Sequence, residues 1–148
     1  MRIRITPPRL YQMFIFFMVA TFFLLPQTRL IIFPYNLIGI MLFVGGAYLG
    51  IYVKKMFKRT NTPISPGAKP TKLYTDGIYK YSRNPMYLGI GIGLLGIAII
   101  TESWINFVFP LLFLMIMNYK YVKIEERKLE IVFGKTYDNY RRRVRRWV

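Results

Sequence analysis

Four apolar runs separated by short polar joints decide most of what this chain can fold into. Leu10 to Leu25 is the first and is followed by Pro26; Tyr35 to Val53 is the second, nineteen residues without a charge. The third, Met86 to Ile100, and the fourth, Trp104 to Tyr119, are joined only by Thr101, Glu102 and Ser103, the connection length of a helical hairpin. Such runs predict transmembrane helices, because backbone amides in lipid are satisfied inside a helix or not at all. The last two would span about 22–24 Å against a hydrocarbon core of roughly 30 Å, so they either extend into their flanks or thin the bilayer. The expected fold class is therefore all-α: an integral membrane protein of about four spans forming a single domain over residues 1–148, with a loop at 54–85 and a tail at 120–148.

Charge placement supplies the topology. The sequence holds 22 Lys and Arg against six acidic residues, a net charge of +16. With four spans, the N-terminal residues, the 54–85 loop and the 120–148 tail share one face, and 21 of the 22 basic residues lie there; only Arg29 falls on the other. That asymmetry predicts cytoplasmic N- and C-termini and a multi-pass protein whose basic segments meet anionic lipid headgroups. A nucleic-acid binder has no reason to segregate its charge around apolar runs, so no nucleic-acid partner is expected. No cleavable leader is expected either, since Pro26, Gln27 and Thr28 follow the first run where a small-x-small site would stand.

The chain contains no histidine and no cysteine. Zinc and haem sites, imidazole bases and thiolate nucleophiles are thereby set aside, and no metal is expected. Chemistry must use carboxylates, tyrosines, backbone groups or a cofactor that arrives already activated. Thr60 to Pro70, rich in Pro, Gly, Ser and Thr, reads as an irregular connector, and Asp76-Gly77 as a turn. Beyond the fourth span, Leu129, Val132 and Phe133 keep helical spacing up to Gly134, a natural terminator. A further amphipathic helix then places Tyr137, Tyr140, Val144 and Trp147 on one stripe among five arginines, and the preferred reading is a membrane-surface anchor.

Two polar clusters remain: Leu73 to Gly89, leading into the third span, and Glu125-Glu126, just past the fourth. If the last two spans form a hairpin, both clusters emerge on one face and can line one pocket. Each has a plain structural alternative. Tyr74, Tyr79, Tyr81 and Tyr87 could be interfacial anchors. Asn84 and Pro85 could simply cap and open a helix. Gly89 and Gly93, like Gly46 and Gly50, are small-xxx-small pairs that suit helix packing. Glu125 and Glu126 could pair with Lys123, Arg127 or Lys128 as solvated charges.

Taken together, the stretch TDGIYKYSRNPMYLG and the tail EERKLEIVFGKTYDNYRRRV resemble the two linked signatures of the isoprenylcysteine carboxyl methyltransferase and phospholipid methyltransferase superfamily. The resemblance covers residues 71 to 146, about half the chain. It implies a membrane-embedded enzyme that uses S-adenosyl-L-methionine and methylates a lipidic or amphiphilic acceptor. The cofactor site it implies comprises Thr71, Lys72, Leu73, Tyr74, Tyr79, Asn84, Pro85, Met86, Tyr87 and Glu125, with Glu126 and Tyr121 as weaker candidates facing the acceptor. Two departures stand out. Asn84 replaces the usual histidine, so that position hydrogen-bonds but cannot titrate. Tyr121 stands where the isoprenylcysteine branch has an arginine for the substrate carboxylate, which argues against a prenylcysteine acceptor. Two rivals complete the expectations: a reductase using NADPH, from the sterol-reductase side of the superfamily, and a non-catalytic basic membrane protein.

Overall fold

The computed structural model describes residues 6–24, 33–60, 62 and 70–148, and among them every regular element is helical. The stop at Pro26, the placement of Arg29 and the irregular connector across 63–69 lie outside the described residues. Six α-helices follow in order: α1 (Pro7–Leu24), α2 (Leu37–Arg59), α3 (Pro85–Ile100), α4 (Val108–Ile116), α5 (Lys123–Phe133) and α6 (Lys135–Arg143). A 3₁₀ turn at Trp104–Phe107 opens α4, and a wide π turn at Met117–Val122 joins α4 to α5. The result is one rod of 30 residues, Trp104–Phe133. This rod, α1 and α2 are long and apolar enough to cross a membrane, while α3 is a shorter apolar helix.

One boundary differs from that expected. The loop placed at 54–85 begins later, because α2 runs on past Val53 to Arg59. Nothing in Lys54 to Arg59 breaks a helix, and Lys58 and Arg59 sit in the last turn, where cations complement the helix dipole. The tail placed from Lys120 is helical from its first residue, in line with the helical spacing that runs up to Gly134. The short fourth run solves its length problem by extending into its polar flank as far as Gly134, whose φ of 48° ends α5.

The hairpin is present. Thr101 to Ser103 reverse the chain between α3 and the rod, with Glu102 at φ 53°. Asn106, fully buried just past this turn, pins it to α1: its amide donates to the Met18 carbonyl (3.3 Å) and the Thr101 hydroxyl (2.8 Å), and its oxygen accepts from Thr21 (2.7 Å). Each hydrogen-bonding group of a side chain buried in apolar surroundings thus has a partner. Along α1, Leu10, Phe14 and Met18 recur every four residues and form its buried face. Phe14 meets Phe109 and Phe113 edge to face at 5.6 and 6.2 Å.

Glycines set the seam between α2 and α3. A Cβ at Gly46 would collide with the Gly89 carbonyl and the Gly93 nitrogen, and one at Gly39 or Gly96 would meet the opposing backbone at 2.6 and 2.5 Å. The two backbones are therefore in direct contact, as small-xxx-small pairing in a membrane helix leads one to expect. Gly91 faces the other way and lies under Leu114 of α4.

The tail corrects the anchor reading. Helix α6 ends at Arg143, and Val144 is extended. Tyr137, Tyr140 and Val144 are buried, packed with Leu73, Tyr79, Leu129 and Phe133, and Trp147 packs on the main core. The stripe expected to lie on headgroups covers the protein's own Leu73–Tyr79 segment, a better refuge for two large rings than a wet interface.

Candidate active site

The basic end of the bundle holds a partly enclosed cavity of about 150 Å³ bounded by α2, the segment before α3, the start of α3, α5 and α6. Of the residues singled out in the sequence, Lys72, Leu73, Tyr74, Tyr79, Asn84, Pro85, Met86, Tyr87, Glu125 and Glu126 line it. The hairpin does bring Asn84 and Glu125 to one hollow. Thr71 does not line it: its hydroxyl donates to Thr62 at 3.5 Å. Tyr121 does not line it either, and instead borders a separate apolar groove between α1 and α4 with Leu10, Leu112 and Tyr119.

Glu125 stands on the first turn of α5 and accepts a hydrogen bond from the Tyr87 hydroxyl at 2.7 Å. Tyr87 is buried on the first turn of α3, where Pro85 fixes the helix start. This bond ties the two signatures together. The π turn just upstream sets the rotation of α5 against α4 and so which way Glu125 faces, a common location for such turns. Nothing in the composition of Met117 to Val122 announces it.

Glu126 has different ion-pair partners from those expected. It is 7% exposed and lies between two guanidinium groups: Arg83 Nη1 at 3.0 Å, and Arg146 through Nε at 3.1 Å and Nη2 at 2.6 Å. A carboxylate held this way by two cations is a structural clamp. A solvated pair with Lys123, Arg127 or Lys128 does not describe it. The arginine partners come from 43 residues before and 20 after in sequence, so no helical spacing rule reveals them.

Asn84 occupies the N-cap position but makes no capping hydrogen bond. Its amide donates to the Arg146 carbonyl at 3.1 Å, and its backbone N–H to Ser82 Oγ at 3.1 Å. Ser82 donates to the same Arg146 carbonyl at 3.3 Å, and the Arg83 N–H to the Arg145 carbonyl at 3.1 Å. Residues 145–146 therefore strap the segment carrying Asn84 to α5.

The cavity that Glu125 lines also has an aromatic wall. Phe57, Tyr74 and Tyr79 follow one another with ring centroids 4.9 and 5.7 Å apart, and Lys72 Nζ lies 5.3 Å from the centre of the Tyr74 ring. The Tyr74 hydroxyl bonds Thr60 and Thr62 at the end of α2, and Tyr140 donates to the Tyr79 carbonyl at 2.7 Å. Burial, with Tyr140, Glu125 and Tyr74 nearby, holds the Tyr79 phenol neutral far above its ordinary range. Tyr81 alone of the four tyrosines is exposed, at 73%, and fits the interfacial reading. Val53, Lys54, Phe57, Arg83, Lys128 and Tyr140 also line the cavity without having been singled out. Arg83 was visible inside the first signature and Lys128 and Tyr140 inside the second, whereas Val53, Lys54 and Phe57 come from α2, whose approach only the fold reveals.

A half-buried carboxylate lining one cavity with aromatic rings suits a ligand with a cationic centre, and the surrounding hydroxyl and backbone groups suit a polar, ring-bearing body. Comparison with known proteins points the same way. The profile of the family described as "Phospholipid methyltransferase" matches residues 34–136. A curated relative, "Protein-S-isoprenylcysteine O-methyltransferase" of Schizosaccharomyces pombe, is 40% identical over 76 residues, 49% of this chain but 30% of that protein. The aligned stretch thus spans less than a third of that relative's length. With the family profile covering well over half of its residues, the chain belongs to the phospholipid methyltransferase family.

Proposed function

We propose that this chain is an S-adenosyl-L-methionine-dependent methyltransferase whose acceptor is a lipidic or amphiphilic molecule reaching the site from the bilayer. The single observation that carries the reading is the cavity that Glu125, fixed by Tyr87, lines together with the Phe57–Tyr74–Tyr79 wall. The residues present fit such a donor in kind: a carboxylate and ring faces for a sulfonium and an ammonium, and Asn84, Tyr74 and backbone groups for a nucleoside. In size the enclosed part, about 150 Å³, is smaller than the roughly 300–1,000 Å³ of most ligand pockets, so part of the ligand occupies the open mouth.

When bound, the donor supplies an already activated methyl group, and no protein nucleophile is required. The chain's own work is alignment and exclusion of water. Glu125 and the aromatic wall orient the cationic centre; Pro85, Met86, Leu73 and Leu129 line the cavity with apolar surface that keeps water out. Residues 1–148 act as one membrane-embedded unit in this reading, multi-pass, with both ends cytoplasmic and exposed basic residues such as Lys58, Arg59, Arg142 and Arg143 against anionic headgroups.

Isothermal titration of the purified protein in nanodiscs with S-adenosylhomocysteine tests the reading, and saturable binding is expected. Incubating lipid extracts with enzyme and a deuterated-methyl donor then identifies the acceptor by a mass shift confined to one lipid class. Absence of saturable binding across several detergents and nanodiscs defeats the reading.

A further inference from the structure

Arg83 lines the cavity with a side chain only 10% exposed, yet its Nε–H is buried and has no hydrogen-bond partner among the described residues. The rest of the residue is well held. Nη1 is shared between Glu126 at 3.0 Å and the Tyr137 hydroxyl at 3.2 Å, and the backbone N–H goes to the Arg145 carbonyl. A buried donor on a charged group without an acceptor is costly, and such orphans are rare in native structures. Nε–H belongs to the guanidinium edge that takes a carboxylate side-on, as Nε and Nη2 of Arg146 do on Glu126. In Arg83 that group has been left for something else.

Three further cations, Lys54, Lys72 and Lys128, line the same hollow, against Glu125 as the one carboxylate outside the Arg83–Glu126–Arg146 clamp. Arg83 and Glu125 therefore offer an anion site and a cation site within one cavity, which matches a zwitterion better than either charge alone. We propose that Arg83 is a ligand-binding residue whose Nε–H takes the carboxylate of an α-amino-acid group, with Glu125 taking the cationic part of the same ligand. The inference rests on the methyltransferase reading and specifies how the amino-acid end of the donor is held.

The test compares two probes on the full chain in nanodiscs: S-adenosylhomocysteine, which carries the amino-acid end, and 5′-methylthioadenosine, which lacks it. Titration calorimetry on wild type, Arg83→Lys and Arg83→Gln gives the ratio of the two dissociation constants. Arg83→Lys keeps a cation beside Glu126 but has no Nε–H fork, and Arg146 still holds Glu126 in Arg83→Gln. Both variants should weaken S-adenosylhomocysteine by about tenfold or more, the scale of one charge-assisted hydrogen bond, while 5′-methylthioadenosine changes little. A general loss of folded protein lowers the binding stoichiometry for both probes alike, so the ratio is read on the fraction that binds. An unchanged ratio in both variants overturns the assignment, and it does so too if transfer to phosphatidylethanolamine falls in parallel, since the anionic partner would then belong to the acceptor. If wild type binds neither probe, the methyltransferase reading itself fails and takes this inference with it.

Discussion

The Tyr87 hydroxyl donates to Glu125 across 2.7 Å, joining the first turn of α3 to the first turn of α5 over 38 positions of sequence. The two side chains depend on one another: Tyr87 is buried and needs an acceptor, and Glu125 needs a fixed orientation if it is to meet a cation. Tyr87→Phe and Glu125→Gln should each weaken S-adenosylhomocysteine binding, and the double variant should lose less than the sum of the two. A coupling of about 1–3 kcal/mol in the calorimetric cycle is expected. Strict additivity would mean that the bond does not organise the site.

The clamp on Glu126 predicts a stability effect. Glu126→Ala leaves Arg83 and Arg146 facing each other without their shared anion, and a loss of roughly 3 kcal/mol is expected from chemical denaturation in detergent. Glu126→Gln, which retains hydrogen-bonding oxygen and shape, should lose less.

Arg146→Ala should act at a distance. Its guanidinium bonds Glu126 and Asn118 while its carbonyl holds Ser82 and Asn84. Hydrogen exchange should therefore speed up at residues 82–84 as well as at 145–147, with the α2–α3 seam unaffected. Faster exchange confined to 145–147 would contradict the strap.

Neighbouring glycines should behave in opposite ways. Gly46→Val and Gly96→Leu force side-chain atoms into an opposing backbone and should abolish the folded state in a thermal melt. Gly45, where an added methyl group would meet nothing within 4 Å, should accept Ala and gain up to about 1 kcal/mol from helix propensity.

Alkaline pH gives a signed expectation. The phenols of Tyr79, Tyr137 and Tyr140 are held above their ordinary value of 10.0, chiefly by burial. In the unfolded chain they ionise near 10, so above that pH the folded state binds more protons than the unfolded one. Their contribution is fully present below pH 10 and is lost as pH rises beyond it. Melting temperature should fall above about pH 10, and less steeply in Tyr140→Phe.

The helical elements are legible because long uncharged runs leave the chain few choices, and the glycine pairs give away the α2–α3 seam. Ten of the twelve residues that the resemblance points to line the cavity, since local motifs carry their own geometry. What escapes is everything set by the meeting of distant segments. Glu126 looks like one more acid among lysines until Arg83 and Arg146 arrive from either side. Tyr121 falls away from the hollow because helix rotation after the π turn decides which residues of the rod face inward, and the sequence of Met117 to Val122 carries no mark of that turn. The tail's aromatic stripe reads as a membrane face because amphipathicity reports that a surface is covered without reporting by what.

The glycine seam also limits traffic. With the backbones of Gly46 and Gly89 touching, α2 and α3 close like two boards laid edge to edge, and no crack lined by side chains remains for a hydrocarbon tail to slip through. A lipid arriving from the bilayer must go around that pair, which makes the flanks of the seam, and not its length, the place to look for the doorway.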